Sequence, residues 1–192
     1  MDLDYLVEGE IRVTMVNYLK NIIGDLTEEI STTSSTSDSD HLFVVHPNNE
    51  RKLLYEERAT AFHHEVAQLM FAVPWSRKYI QTAVTFLTTR VRYPYKDDWR
   101  KLQQVLQYLK GEIQMPLILR AGRLNVIKWW VDATYATHED MRGHTGANVL
   151  LGRGSVISMS KKQKINMRSS TEADILGVDD SLPGALWTKY FI

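Results

Sequence analysis

The order of local signals across residues 126–182 constrains the fold more than anything else in the chain. An apolar run, residues 126–131, ends at Asp132. Two short strand-like runs follow, residues 147–152 and 155–160, separated by the turn Gly152-Arg153-Gly154. A basic cluster of Lys161, Lys162, Lys164 and Arg168 then leads into Ser169-Ser170-Thr171-Glu172-Ala173-Asp174. Ser and Thr ahead of Glu and Asp suit a helix start, because their oxygens accept from the free amides of the first turn and the acids favour its dipole. The stretch therefore predicts three antiparallel strands and a helix over residues 126–181. One acid, Asp132, stands on the first strand, and another, Asp174, stands near the start of the helix.

Such a pair of acids has a chemical use. A phosphodiester is cut most readily when two divalent metals, about 3.5 to 4 Å apart, hold the attacking and leaving oxygens and carboxylates from separate elements fix the metals. Asp132 and Asp174 are half of such a cage. The same residues also fit a strand end and an ordinary first-turn helix acid. Other polar groups carry less. The rings of His63 and His64 point about 100° apart on a helix and cannot share one metal well, unlike the four-residue spacing of helical zinc sites. His138, Glu139 and Asp140 follow Asp132 in a loop, where they either donate a metal ligand or form a polar turn. Trp129 and Trp130 face opposite sides of a strand, so at least one belongs to a core.

The rest of the chain is read from periodicity. Residues 3–7 and 11–13 predict short strands joined by Glu8-Gly9-Glu10. Val16, Leu19, Ile22, Ile23, Leu26 and Ile30 then recur at helical spacing, weakened at Gly24. Residues 31–40, STTSSTSDSD, hold too little apolar surface to offset the entropy of ordering, and predict a flexible linker. Three helical stripes follow. The first runs from Ala59 to Val73 and is expected to stop at Pro74. The second runs from Ile80 to Val91, and the third begins at Asp97-Asp98 and stops at Gly111. Residues 117–119 predict a short strand leading to the run at Val126.

Charge enters because the net value of zero hides an asymmetry. Residues 1–60 carry 5 basic and 12 acidic side chains, and residues 61–192 carry 18 and 11. A basic C-terminal part favours a phosphate backbone, although solvated helix faces give the same count. Lys161, Lys162, Lys164 and Arg168 are the candidate phosphate contacts, since cationic groups neutralise a backbone without reading bases. The absence of cysteine fits an intracellular setting, cytoplasm or nucleus. No apolar run approaches the roughly 18 residues of a membrane span, so no membrane partner is expected.

The blocks Val131-Asp132-Ala133, Lys161-Lys162-Gln163 and Ser169-Ser170-Thr171-Glu172-Ala173-Asp174, in that order, resemble the start of the ribonuclease H domain of Copia-type long-terminal-repeat retrotransposons. Upstream, residues 99–111 resemble the family's helix after the reverse transcriptase palm, and the first hairpin and helix resemble the end of that palm. The resemblance implies an α+β chain in three parts. These are a palm end with a Ser/Thr/Asp-rich loop at 1–57, thumb-like helices at 58–115, and a truncated ribonuclease H-like mixed sheet with helices at 116–192. It implies a two-metal nuclease acting on RNA–DNA hybrids with Mg²⁺ or Mn²⁺ held by Asp132 and Asp174. Asp174 stands where the family has Glu, and the family's third and fourth metal acids lie beyond Ile192. The family's polymerase hairpin, Tyr-Val-Asp-Asp, is not among these residues; Val178-Asp179-Asp180 is an echo in a predicted helix, with its acids expected in solvent. The expectation is a polyprotein fragment that does not cut alone, with the remainder of the polyprotein as a further partner. A non-catalytic nucleic-acid-binding module or a decayed remnant is the alternative.

Overall fold

In a computed structural model, residues 1–24, 26, 30–38, 41–45, 52–123 and 126–192 are described. They form a mixed α+β chain with five α-helices and two antiparallel sheets. In chain order the elements are β1 (Asp2–Asp4), β2 (Glu10–Thr14), α1 (Val16–Gly24), α2 (Glu56–Ser76), a 3-10 turn (Lys78–Ile80), α3 (Gln81–Thr88), α4 (Lys96–Gly111), β3 (Leu117–Ala121), β4 (Lys128–Thr134), β5 (His144–Leu150), β6 (Gly152–Arg153), β7 (Ile157–Lys162) and α5 (Ser170–Phe191). They gather into two compact units. One is Thr14–Met115 with Met1, and the other is Asp2–Val13 with Pro116–Ile192.

The first unit is helical. Leu19 and Ile22 of α1, Phe62, Val66 and Leu69 of α2, Val84 and Leu87 of α3, and Leu102, Leu106 and Leu109 of α4 are all buried in one core. Their recurrence at three and four residues gives each helix an apolar stripe, and each fully buried large side chain contributes roughly 1.5 to 3 kcal/mol. Helix α4 starts where Asp98 accepts from the Tyr95 amide at 2.8 Å, with the Arg90 guanidinium 3.2 Å away. Two sequence expectations change here. Helix α2 does not stop at Pro74 but continues to Ser76. Its last turn is held by packing and by Arg77, whose fully buried guanidinium donates to the carbonyls of Ser76, Ile113 and Met115. The Ser/Thr/Asp run lies inside this unit rather than between units. Gln107 donates to Thr32 and Gln104 to Thr36, so residues 31–38 are tied to α4; residues 39 and 40 lie outside the described residues.

The second unit holds both sheets. In the first, ordered β1-β2-β3-β6, Glu10 pairs with Arg120 and Val13 with Leu117, joining segments a hundred residues apart. The strand at residues 117–121 therefore lies inside this sheet instead of leading into the edge of the next one. Gly152 and Arg153 also differ from a simple turn: they pair with Ala121 and Arg120 as β6. Glycine is required on that path. A Cβ at Gly152 would run into the Arg120 carbonyl, and Gly154 has φ +85° with the Ile118 carbonyl against it. The second sheet, β4-β5-β7, is antiparallel throughout, with Trp129 opposite Val149 and Ala147 opposite Met159. Helix α5 packs on β4 and β5, so the expected three strands and helix are present.

Candidate nucleic-acid and acid site

The face of α5 toward the sheet is made of small residues: Ala173, Gly177, Ser181 and Thr188 are buried. A Cβ at Gly177 would already lie 3.3 Å from the Ala133 Cβ and 3.4 Å from Val131 Cγ1. This places the helix backbone close to β4 and fixes which sheet face it covers. The helix begins at Ser169, whose hydroxyl accepts from the Glu172 amide at 3.2 Å, while Glu172 accepts from the Arg168 amide at 2.8 Å. The Ser169 cap matches the start read from the sequence, and Glu172 also holds the amide of the residue before the cap.

Gln163 locks this start to the sheet. It is fully buried, and its amide donates to Thr145 Oγ1 at 3.1 Å and to the Ala173 carbonyl at 2.9 Å. Its own N–H donates to the Gly143 carbonyl at 2.9 Å. The Gln of the Lys-Lys-Gln block thus joins β7, β5 and the first turn of α5. Composition gave no sign of it, because a buried Gln reads locally like a surface one.

Asp132 and Asp174 lie at the same end of the sheet but are presented differently. Asp132 sits between Val131 and Ala133, both of which face Gly177, so strand alternation turns its carboxylate to the face away from α5. It is exposed and accepts from the Ala133 amide at 3.0 Å. Asp174 is exposed near the start of α5, beside buried Ala173. No hydrogen bond or ion pair joins the two acids among the described residues. Nor does any group of three His, Cys, Asp or Glu side chains there have a metal-holding arrangement. Two carboxylates on separate faces do not fit a two-metal cage, which needs several ligands converging on ions about 4 Å apart.

The basic cluster divides by strand alternation. Lys161 faces α5, where its ammonium pairs with Asp180 at 2.7 Å; Lys162 faces the other way and pairs with Asp140 at 2.7 Å. The pairing of Asp180 corrects the expectation that both acids of Val178-Asp179-Asp180 stand in solvent, since only Asp179 is exposed. Lys164 and Arg168 are exposed.

The sheet face away from α5 carries Trp130, 65% exposed, beside Lys128, Asp132 and Asn148. Trp129 is half-buried on the other face, as alternation requires. At the Asp132 end of the open face lies a group the sequence did not indicate. His138 Nε2 is 3.1 Å from His144 Nδ1, and His144 Nε2 is 2.6 Å from Ser160 Oγ. Both rings are buried. Burial pushes each imidazole from its ordinary 6.5 down to about 4; the Lys162 charge adds to this at His138 against an opposing Asp140, and His138 adds to it at His144. The sequence places His138 in a polar loop with Glu139 and Asp140. Instead it is a buried partner of a strand residue six positions on.

Two-thirds of the chain has relatives among the retrovirus-related Pol polyproteins of plant transposons. Over 129 residues, 67% of the chain, it is 30% identical to the Retrovirus-related Pol polyprotein from transposon RE2 of Arabidopsis thaliana. Over 128 residues, 66% of the chain, it is 29% identical to that from transposon TNT 1-94 of Nicotiana tabacum. These matches span 9% and 10% of the two polyproteins. A further similarity, 29% over 124 residues, is to Secreted RxLR effector protein 161 of Plasmopara viticola and covers 87% of that protein. No family model and no solved structure matches the chain.

Proposed function

We propose that this chain is a segment of a Copia-type retrotransposon polyprotein, carrying the end of a reverse transcriptase palm (1–57), thumb-like helices (58–115) and the first part of a ribonuclease H-like domain (116–192). The observation that carries this reading is the way the three sequence blocks serve one strand–helix unit. Asp132 lies on β4, Gln163 pins the head of α5, and Ser169 caps it. Relatives among Pol polyproteins support it. The likeness to the secreted effector extends over most of that protein, so a segment of this kind also stands nearly by itself.

The segment binds an RNA–DNA hybrid through its exposed cations and does not cleave it alone. Asp132 and Asp174 are the acids matched to the metal positions, but a carboxylate drawn back by one methylene, roughly 1.5 Å, is already costly where about 1 Å can mean a hundredfold. With so few donors, Mg²⁺ or Mn²⁺ keeps most of its water and binds weakly. Because Lys161 and Lys162 already pair with acids, Lys164 and Arg168 carry more of the contact with phosphates.

The test is binding of a labelled RNA–DNA hybrid across a salt series. Affinity is expected to fall with added salt. Replacing Lys164 and Arg168 together by Ala should reduce the logarithmic salt slope by roughly 1.5, and replacing Lys161 and Lys162 should reduce it less. Absence of hybrid binding at low salt would overturn the binding reading. Cleavage in millimolar Mn²⁺ that Asp132→Asn abolishes would overturn the expected inactivity.

A further inference from the structure

Residues 113–131 and 141–171 contain no Asp or Glu. The second unit brings cations from both stretches to one place. Gly122 donates its N–H to the Leu151 carbonyl at 3.3 Å, and a Cβ on Gly122 would lie 2.9 Å from the Gly152 Cα. Only glycine lets two backbones approach so closely, and the residues that follow, Arg123 and Arg153, are carried to one rim. Arg153 also stands directly opposite Arg120 in the pairing of β3 with β6. With Lys128 at the start of β4, these arginines line an open hollow of about 450 Å³, and among the described residues no acid lines it. All four cations are exposed, and none makes an ion pair within the chain among the described residues. Glu8 and Glu10 line the adjoining hollow, which Arg120 and Arg153 also border. Glu10 stands opposite Arg120 in the pairing of β2 with β3, but it is buried and its Oε1 accepts from Arg12 Nε at 2.8 Å.

Like charges directly opposite on paired strands repel, so three guanidinium groups and an ammonium around an acid-free hollow call for an anion from outside. The planar guanidinium fork suits phosphate oxygens in particular. Trp130 identifies what carries the phosphates. It lies two positions from Lys128 on β4, so the two share the open face of that strand. Trp130 is 65% exposed, with exposed Asn148 level with it on β5. An exposed ring beside a group of cations takes an unpaired base on its face while the backbone follows the charge; a paired base keeps both faces in its own stack. Asp132, the next residue on that face, repels phosphates and so keeps the backbone on the Lys128 side of the ring. We infer that this surface binds single-stranded nucleic acid, with phosphates in the hollow of Arg120, Arg123, Lys128 and Arg153 and a base stacked on Trp130. The site shares no residue with the hybrid contacts at Lys164 and Arg168, so either reading can fail without the other.

The test is fluorescence anisotropy of a labelled oligothymidylate of about a dozen residues, titrated with the full chain across a salt series. An abasic strand of the same length and a labelled polyglutamate run beside it. The oligothymidylate should bind at low salt. Arg123→Gln, Lys128→Gln and Arg153→Gln together should reduce the logarithmic salt slope by about 2, at roughly 0.7 for each phosphate released. Lys164→Ala with Arg168→Ala should leave that slope unchanged. Trp130→Ala should weaken the oligothymidylate about tenfold, with the abasic strand and the salt slope unaltered. All of these positions are exposed, so the variants keep the fold, which far-ultraviolet circular dichroism checks. Absence of single-strand binding at low salt overturns the inference, even where the hybrid still binds. So does a slope that Lys164 and Arg168 set instead of the three cations, or a Trp130→Ala protein that holds the oligothymidylate as tightly as before. Displacement of the strand by millimolar inorganic phosphate at constant ionic strength overturns it in favour of a small phosphate ligand. Polyglutamate bound as tightly as the strand, and lost in the triple variant, overturns it in favour of an acidic protein segment.

Discussion

Acidification should destabilise the sheet unit, because His138 and His144 are buried as neutral rings. Only one proton fits between His138 Nε2 and His144 Nδ1 at 3.1 Å, so two imidazolium ions cannot keep that contact. Burial, foremost, holds both rings at about 4 against 6.5 in an unfolded chain. The direction follows from proton counting. Between pH 6.5 and 4 the unfolded chain binds protons that the folded one refuses, so the stability is fully present above pH 6.5 and drains as pH falls. Each ring should cost about 2 kcal/mol by pH 5 and about 3 kcal/mol by pH 4, because every tenfold difference in proton affinity between the two states is worth about 1.4 kcal/mol. Two rings together approach the 5 to 15 kcal/mol that holds a typical domain.

The assay must separate the two compact units, since one unfolding curve over both is not two-state. Equilibrium urea titrations at pH 7, 6 and 5, pulse-labelled by hydrogen exchange and read peptide by peptide, do so. Peptides from β4, β5 and β7 should lose their urea midpoint as pH falls, while those from α2 and α4 change little. His138→Gln with His144→Gln keeps hydrogen-bonding groups and removes the titration, so its sheet midpoint should be flat over the same range. Asp140, beside the pair, does not confuse this window. Burial raises Asp140, but its hydrogen bond and charge contact with Lys162, helped by Arg142, outweigh that and leave its carboxyl below 3.8. Its contribution is therefore lost only below the window. A sheet midpoint that is the same at pH 7 and 5, or that falls equally in the double variant, refutes the reasoning.

Three further outcomes follow from single residues. Gln163→Ala removes two buried hydrogen bonds and leaves a small cavity, so the sheet unit should lose about 3 kcal/mol, with faster exchange at the first turn of α5 and no change in α4. Gly154→Ala places a side chain at φ +85° against the Ile118 carbonyl; the cost should be about 2 kcal/mol, and exchange should rise at residues 117–121 where β6 pairs. Asp98→Ala takes the acceptor from the Tyr95 amide and from Arg90, and should lower the stability of the helical unit by about 2 to 3 kcal/mol, read from its urea midpoint, while leaving β4 and β5 unchanged.

What could be read in advance divides by the range of the interaction that decides it. The Ser169 cap, the stripes of α2 to α4 and the β4-β5-β7 meander are local, so periodicity and turn residues sufficed. The pairing of β2 with β3 is not local: nothing near Val13 points to Leu117, and only the backbone ladder reveals that the first hairpin joins the second unit. Pro74 shows the same limit from the other side. Proline disfavours the helix there by its own chemistry, yet a buried arginine three residues on satisfies the chain beyond it.

The site was harder to read than the fold because alternation acts one residue at a time. Asp132 and Lys162 each follow a residue that faces α5, and that single step sends both to the open face, while Lys161 stays under the helix with Asp180. A cluster of four cations in the sequence therefore becomes two ion-paired lysines on opposite faces and two exposed cations beyond the strand. The same arithmetic, applied at 3.6 residues per turn, would have shown that Ala173, Gly177, Ser181 and Thr188 share a face of α5. A search for large apolar residues passes over such a face, and in this helix it finds instead the stripe from Ile175 to Tyr190. The residues that most resembled a core were the ones left in solvent. Helix α5 lies so close to β4 that a Cβ at Gly177 would already be 3.3 Å from that of Ala133, and only small side chains allow that approach.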